Sequence, residues 1–339
     1  MAAMKPRDFP ILFITASRIG DAVLASGLVK ALATQAPGAR FTIVGSALTA
    51  PLFAEVPGLD RLIEMEKRPL AAHWFSLWRE VRPVRWGLVV DLRGSGLSGF
   101  LKRSRRAVRR NDGRLEHKVI AAARLLLMQD DPPAPYLFTS ARTEARARAL
   151  TRGHGPILAI APAANWVGKT WPAERFATLA RQLLGPGGAV AGGRLMVLGA
   201  YKDRLIAETV KTAVPSARQI DLVGAEDLLT VHAALKHARL FVGNDSGLMH
   251  LAAAAGVPTL GLFGPSDERA YGPWGPLARS VRGPRGFADF REIDPTFSQA
   301  VCHMTDLPVS TVVAEADALL AETARVVPAA AHRALAGRD

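Results

Sequence analysis

The chain has 339 residues, more than one hydrophobic core usually holds, so two domains are expected. Apolar residues make up 49% and charged residues 22%, which excludes disorder over most of the length; the single cysteine, Cys302, excludes an intrachain disulfide and fits a reducing compartment. The net charge of +13 favours anionic partners: nucleic acid, anionic lipid or phosphorylated substrates.

The N-terminal residues include Lys5 and Arg7. The apolar run behind them, Phe9 to Ile14, is too short for a signal-peptide core with a cleavage site and reads as a first buried strand from Ile11. No apolar stretch reaches the ~20 residues that span a bilayer, so a soluble cytoplasmic protein is expected. Gly20 to Ala33 reads as a helix, with Leu24, Leu28 and Leu32 on one face. Strands follow at Phe41 to Val44 and Gly87 to Asp91, the latter ending in the loop Arg93 to Ser98. The basic run Lys102, Arg103, Arg105, Arg106, Arg109 and Arg110 comes next. It reads either as a solvated loop or as an anion-binding patch; it has no aromatic residues for base stacking, so nucleic acid is not an expected partner. Glu116 to Leu127 reads as a helix, and Pro132, Pro133 and Pro135 break the chain.

A second series begins after Pro156. Strands are expected at Ile157 to Ala161, Leu195 to Leu198, Leu240 to Gly243 and Thr259 to Phe263. Helices are expected at Pro172 to Leu184, Lys202 to Thr212, Leu228 to His237 and Leu248 to Ala255, with a last one from Ser310 to Ala324 before an Ala-rich tail. Strands alternating with helices predict an α/β protein with parallel sheets covered on both faces. Two such series predict two Rossmann-like domains, residues 1–150 and 151–339. Ligands then bind beyond the carboxyl ends of the strands.

Four strand-end loops carry candidate chemistry. In Thr15-Ala-Ser-Arg-Ile-Gly-Asp21 the carboxylate opens a helix, where it serves either as a cap or as a general base. In Pro162 to Pro172, Lys169 is placed to meet a phosphate, or is a solvated surface lysine. In Val242-Gly-Asn-Asp-Ser-Gly-Leu-Met-His250 a small polar loop leads into a helix whose N–H groups suit a diphosphate. There Asp245 suits sugar hydroxyls, and His250 reads alone as a core histidine. The fourth loop is Gly261-Leu-Phe-Gly-Pro-Ser-Asp267. No Asp-x-Asp occurs, so charge neutralisation is expected from Lys169 and a helix terminus; no metal-ligand spacing of Cys and His exists, and no metal is expected.

Together the loops resemble glycosyltransferase family 9, the lipopolysaccharide heptosyltransferases. The likeness rests on Ser17-Arg-Ile-Gly-Asp21, Lys169-Thr-Trp-Pro-Ala-Glu-Arg-Phe176, Gly243-Asn-Asp-Ser-Gly247 with Met249-His-Leu-Ala-Ala253, and Phe263-Gly-Pro-Ser-Asp267 with Gly272-Pro-Trp-Gly275, in the family's order. Weaker echoes are Asp91-Leu-Arg-Gly94 with Ser98, and Cys302. The resemblance implies a GT-B fold, two Rossmann-like domains facing across a cleft, and inverting, metal-independent transfer from a nucleotide-diphospho-sugar without a cofactor. It implies ADP-heptose as donor and an anionic lipopolysaccharide core or related envelope glycolipid as acceptor, with peripheral contact at the inner membrane.

By position, Asp21 matches the catalytic base. Lys169, Thr170, Asn244, Asp245, Ser246, Gly247, Met249 and His250 match the donor-binding segments of the second domain. Acceptor binding falls to the first domain, where Arg18, Arg105, Arg106 and Arg109 are the expected contacts. One departure is that the family often carries an acidic residue directly after the strand before Lys202, against the nucleotide ribose. Here the chain reads Gly199-Ala-Tyr201 with Asp203 two residues on, which leaves the nucleotide open. Competing readings are another nucleotide-sugar transferase and an inactive nucleotide-binding protein on the same fold. A nicotinamide enzyme would need a G-x-G-x-x-G after the first strand and a Tyr-x-x-x-Lys pair, both absent.

Overall fold

Residues 9–110, 113–297 and 300–336 are described by a computed structural model, so Lys5 and Arg7 lie outside it. The chain divides into two units, Met1–Ala141 and Arg142–Asp339. The division falls earlier than residue 150, because the helix Ala141–Leu150 goes with the second unit, tied there by Arg146 to Glu226 and by Glu144 to Lys236.

The first unit runs β1 (Phe9–Ile14), α1 (Ile19–Leu24), α2 (Ser26–Gln35), β2 (Ala39–Gly45), β3 (Leu59–Glu64), α3 (Ala72–Val81), β4 (Trp86–Asp91), β5 (Arg103–Val108) and α4 (Lys118–Ala123). Its sheet has the order β3-β2-β1-β4-β5, all parallel. Ile11, Leu12, Phe13 and Ile14 are wholly buried, as a central strand covered on both faces requires. The order reverses between β1 and β4, so the loops after these two strands flank the topological switch point.

The expected helix from Gly20 to Ala33 is two helices. The Ser26 hydroxyl donates to the Val23 carbonyl at 2.6 Å and accepts the Tyr136 N–H at 2.9 Å, which turns the chain at Ala25. Next to it, a Cβ on Gly27 would stand 2.4 Å from the Pro133 and Ala134 carbonyls, so only glycine lets the proline segment lie against α2. The helix expected from Glu116 begins at Lys118, where the His117 ring nitrogen accepts the Val119 N–H. The basic run is not a loop: Arg103–Val108 is the edge strand β5, paired with β4 through Arg103, Arg105 and Arg106.

The second unit runs α5 (Ala141–Leu150), β6 (Ile157–Ala161), α6 (Ala173–Leu184), β7 (Arg194–Gly199), α7 (Arg204–Lys211), β8 (Gln219–Val223), α8 (Leu228–Leu235), β9 (Leu240–Asn244), α9 (Gly247–Ala254), β10 (Thr259–Phe263), α10 (Glu268–Tyr271), β11 (Ala278–Arg282), α11 (Phe287–Ile293) and α12 (Val309–Ala336). Its parallel sheet has the order β11-β10-β9-β6-β7-β8, with the switch point between β6 and β9. Phe176, Leu179 and Leu183 of α6 pack with Val312, Ala316 and Leu320 of α12 over β6 and β7. Each of these phenylalanine, leucine and valine side chains stabilises by about 1.5–3 kcal/mol when fully buried. α12 runs past the expected Ala324 and takes in most of the Ala-rich tail. No described helix is long and apolar enough to cross a membrane.

Candidate active site

At the switch point of the first unit, the loop from Thr15 to Arg18 leaves β1 and is pinned from the end of β2. The Thr49 hydroxyl donates to the Ala16 carbonyl at 3.0 Å, and the Ser46 hydroxyl to the Ser17 carbonyl at 3.1 Å. Asp21 is the third residue of α1. It is not the cap: the N-cap position is Arg18, and no side chain caps that end. The half-buried Asp21 carboxylate has no hydrogen bond or ion pair among the described residues.

Asp21 lines a cavity of about 910 Å³ together with a second carboxylate, Glu66, and the cations Arg18, Lys67, Arg93 and Arg109. His73 and Trp74, at the start of α3, close one side of it. Arg93 is held by the β4 end: its N–H meets Asp91 Oδ1 at 2.9 Å, and its Nε donates to the Thr15 carbonyl at 2.9 Å. Its Nη2 is buried with no partner. Burial lowers the Arg93 pKa, against the nearby Asp91 charge. Asp91 is wholly buried; burial raises its pKa, opposed by hydrogen bonds from Ser95 and the loop N–H groups.

Of the expected acceptor contacts, Arg18 and Arg109 line this cavity, whereas Arg105 and Arg106 stand exposed on β5 and are not among its lining. Arg93, Lys67, His73 and Trp74 were not foreseen. Arg93 was within reach of the sequence, since it follows a strand end beside β1.

At the switch point of the second unit, Lys169 ends a single helical turn, Val167–Lys169, in the loop after β6. Its Nζ lies 2.8 Å from Asp245 Oδ2, with the side chains 20% and 7% exposed. The expected phosphate ligand and the expected sugar ligand therefore bind each other. Asn244, expected at the donor, is wholly buried: its carbonyl oxygen accepts the Trp171 N–H at 3.0 Å, and its amide donates to the Pro162 carbonyl at 2.7 Å. It ties the loop after β6 to the end of β9 and so sets the Lys169–Asp245 geometry. Met249 is core: it is wholly buried, and its Sδ would stand 2.3 Å from a Cβ on Gly261. His250 is buried on the same helix. The Thr170 hydroxyl donates to the Trp166 carbonyl at 3.1 Å, and the Thr170 carbonyl accepts from Cys302 Sγ.

Ser246 and Gly247 open α9. No side chain caps that end, and Ser246 Oγ is buried with no partner, so a hydroxyl and the first N–H groups are left for an anion. Asp267 of the fourth loop is engaged otherwise: it caps α10 and grips Arg269 at 2.9 and 2.8 Å, and that hydrogen bonding holds its pKa below the usual range. Asp203 accepts the Ala200 N–H at 2.9 Å, and Tyr201 beside it is 73% exposed. Among the described residues no group of His, Cys, Asp and Glu could hold a metal ion.

This arrangement offers a free carboxylate among cations in one unit and a lysine beside an uncapped helix start in the other. That is the chemistry of a proton acceptor and a diphosphate clamp. The sequence profile of glycosyltransferase family 9 (heptosyltransferase) matches residues 60–296. Lipooligosaccharide heptosyltransferase 2 of Haemophilus influenzae is 26% identical over 80% of this chain and 88% of its own. The structure of the E. coli ADP-heptose lps heptosyltransferase II superposes with a TM-score of 0.74 at 23% identity, over 93% of this chain and 99% of that one. E. coli heptosyltransferase WaaC with ADP gives 0.66 at 18% identity, over 90% and 98%. The fold is the GT-B fold, and the chain belongs to glycosyltransferase family 9, the heptosyltransferases.

Proposed function

We propose that the protein is an inverting glycosyltransferase that moves heptose from ADP-heptose onto an anionic lipopolysaccharide core, in the cytoplasm. The observation that carries the reading is Asp21, a carboxylate with no partner among the described residues, in a cavity at a strand end where cations outnumber carboxylates. The acceptor hydroxyl gives its proton to Asp21 as its oxygen forms the bond to the anomeric carbon. The bond to the diphosphate breaks on the opposite face. Lys169 and the start of α9 meet the charge that grows on the leaving diphosphate. Arg18, Arg93, Arg109 and Lys67 suit the carboxylates or phosphates of the acceptor.

A second donor is favoured by one observation. Asp203 is turned onto the Ala200 N–H, so no carboxylate stands free directly after β7 to meet the ribose, which supports a nucleotide-sugar other than ADP-heptose as the second reading. Thermal unfolding with ADP, UDP, GDP, CMP and NAD separates these readings. The matching nucleotide at 100 times its dissociation constant stabilises by about 2.7 kcal/mol. ADP is the expected ligand; stabilisation by another nucleotide with none from ADP overturns the ADP-heptose reading. Transfer of heptose to a deacylated core, followed by mass, tests the reaction itself.

A further inference from the structure

We propose that the outer face of α3, the turn Leu97–Phe100 and β5 together form a docking surface for an anionic lipid bilayer. Phe75 and Phe100 are 62% and 77% exposed, and Leu70, in the turn leading into α3, is fully exposed. Phe75 stacks on Trp78 with ring centres 5.7 Å apart, and Trp78 Nε1 donates to the Phe100 carbonyl at 3.2 Å, so the two elements present one aromatic ridge. Phe75, Trp78, Arg79 and Arg82 recur at the spacing of one helix face. Arg82 lies over the Trp78 ring at 4.6 Å.

The charge around the ridge has one sign. Between Lys67 and Arg110 the only carboxylates are Glu80, which is paired with Arg61, and Asp91, which is buried. Arg79, Arg82, Lys102, Arg105 and Arg106 are all exposed. A soluble protein rarely leaves two phenylalanines bare amid arginines without a partner for both. A bilayer supplies that partner: its acyl boundary takes the rings, and its anionic headgroups take the guanidiniums. A single-stranded nucleic acid also stacks on aromatics and binds cations. It gives no role to the fully exposed aliphatic Leu70.

The same helix serves the cavity. Trp74, next to Phe75, lines it beside Arg93, whose guanidinium is 6.0 Å from the Trp74 ring. Docking through Phe75 therefore sets the cavity against the headgroup layer, where a glycolipid presents its sugars; this last step rests on the acceptor reading above.

The test is sedimentation with vesicles of phosphatidylcholine alone or mixed with phosphatidylglycerol. The full chain is expected to bind the mixed vesicles, with a blue shift of tryptophan emission, and to bind phosphatidylcholine at least roughly tenfold more weakly at low salt. The variant Phe75→Ser/Phe100→Ser changes only exposed side chains. It is expected to unfold at the wild-type temperature and to lose at least roughly tenfold in vesicle binding. Transfer to a water-soluble deacylated core should stay at the wild-type rate, while transfer to vesicle-embedded core falls. A wild-type chain that ignores phosphatidylglycerol vesicles, a double variant that binds them as well as wild type, or binding to a single-stranded oligonucleotide in place of vesicles overturns the proposal. Vesicle binding that is lost in the double variant, with no transfer to either acceptor by wild type, upholds the surface and sinks the acceptor reading instead.

Discussion

Asp21, in the first turn of α1, and Lys169, in the loop after β6, both follow a strand at a sheet's switch point, β1 in one unit and β6 in the other. Around Asp21 the charges are open. The carboxylate has no partner among the described residues, Arg93 Nη2 is buried without one, and Arg18 is exposed. Around Lys169 the charges are closed: lysine and Asp245 hold each other at 2.8 Å, and the Asn244 amide locks the loops that carry them. The difference separates two ways of meeting an anion. The first site keeps cations that exceed its carboxylates, Asp21 and Glu66, a balance that on the function proposed above would favour an anionic ligand. The second keeps a compensated pair; on the function proposed above, an arriving diphosphate would exchange one partner of Lys169 for another and leave no bare ammonium in a half-buried loop.

The largest expected break in this comparison is Asp21→Asn. It should cut turnover by roughly 10²–10⁴ while nucleotide affinity and unfolding temperature hold. Turnover near wild type would leave Asp21 only its favourable place at the start of α1. Next comes Lys169→Met, which strands a carboxylate that is 7% exposed. A stability loss of roughly 3–5 kcal/mol by chemical denaturation is expected, largely recovered on adding Asp245→Asn. Arg18→Gln with Arg109→Gln should shift stability by less than about 0.5 kcal/mol and raise the acceptor KM instead. Equal stability losses in the two sites would erase the contrast.

A separate effect concerns pH. Burial of His232, with Lys236 nearby, lowers its pKa from 6.5 to about 4. The unfolded chain thus binds a proton that the folded chain refuses. Stability is full above pH 6.5 and drains as pH falls toward 4, by roughly 3 kcal/mol in all. Asp91, whose pKa burial raises, runs the other way: its folded form holds the proton more tightly, so acid relieves it. Hydrogen exchange should therefore show α8 and α9 losing protection between pH 6.5 and 4, and His232→Gln should flatten that slope. Unchanged protection across this window would mean that His232 is neutral at no cost.

The strands that periodicity revealed are those buried on both faces: β1, β2, β4, β6, β7, β9 and β10 read as apolar runs. The four it missed, β3, β5, β8 and β11, are the four sheet edges. Leu59–Glu64 buries none of its residues fully and Arg103–Val108 only Ala107, so their composition looks like loop. The site shows the same limit. Strand-end position was enough to single out Asp21 and Lys169. No spacing could show that Lys169 meets a carboxylate 76 residues away, or that Asn244 and Met249, inside the most telling motif, face inward to carbonyls and to Gly261. A motif records both the groups that touch a ligand and those that hold them.

The edge strand β5 carries one more consequence. A rim strand exposes a row of unmated amides and carbonyls that another copy can extend into a fibre. Arg103, Arg105 and Arg106 lie along this rim, so a second copy arriving in register brings like charge against like. That repulsion opposes polymerisation through this sheet when copies of the chain are crowded together. Trading these arginines for valine, which fits a strand better by propensity, would remove that repulsion and make this edge prone to aggregation.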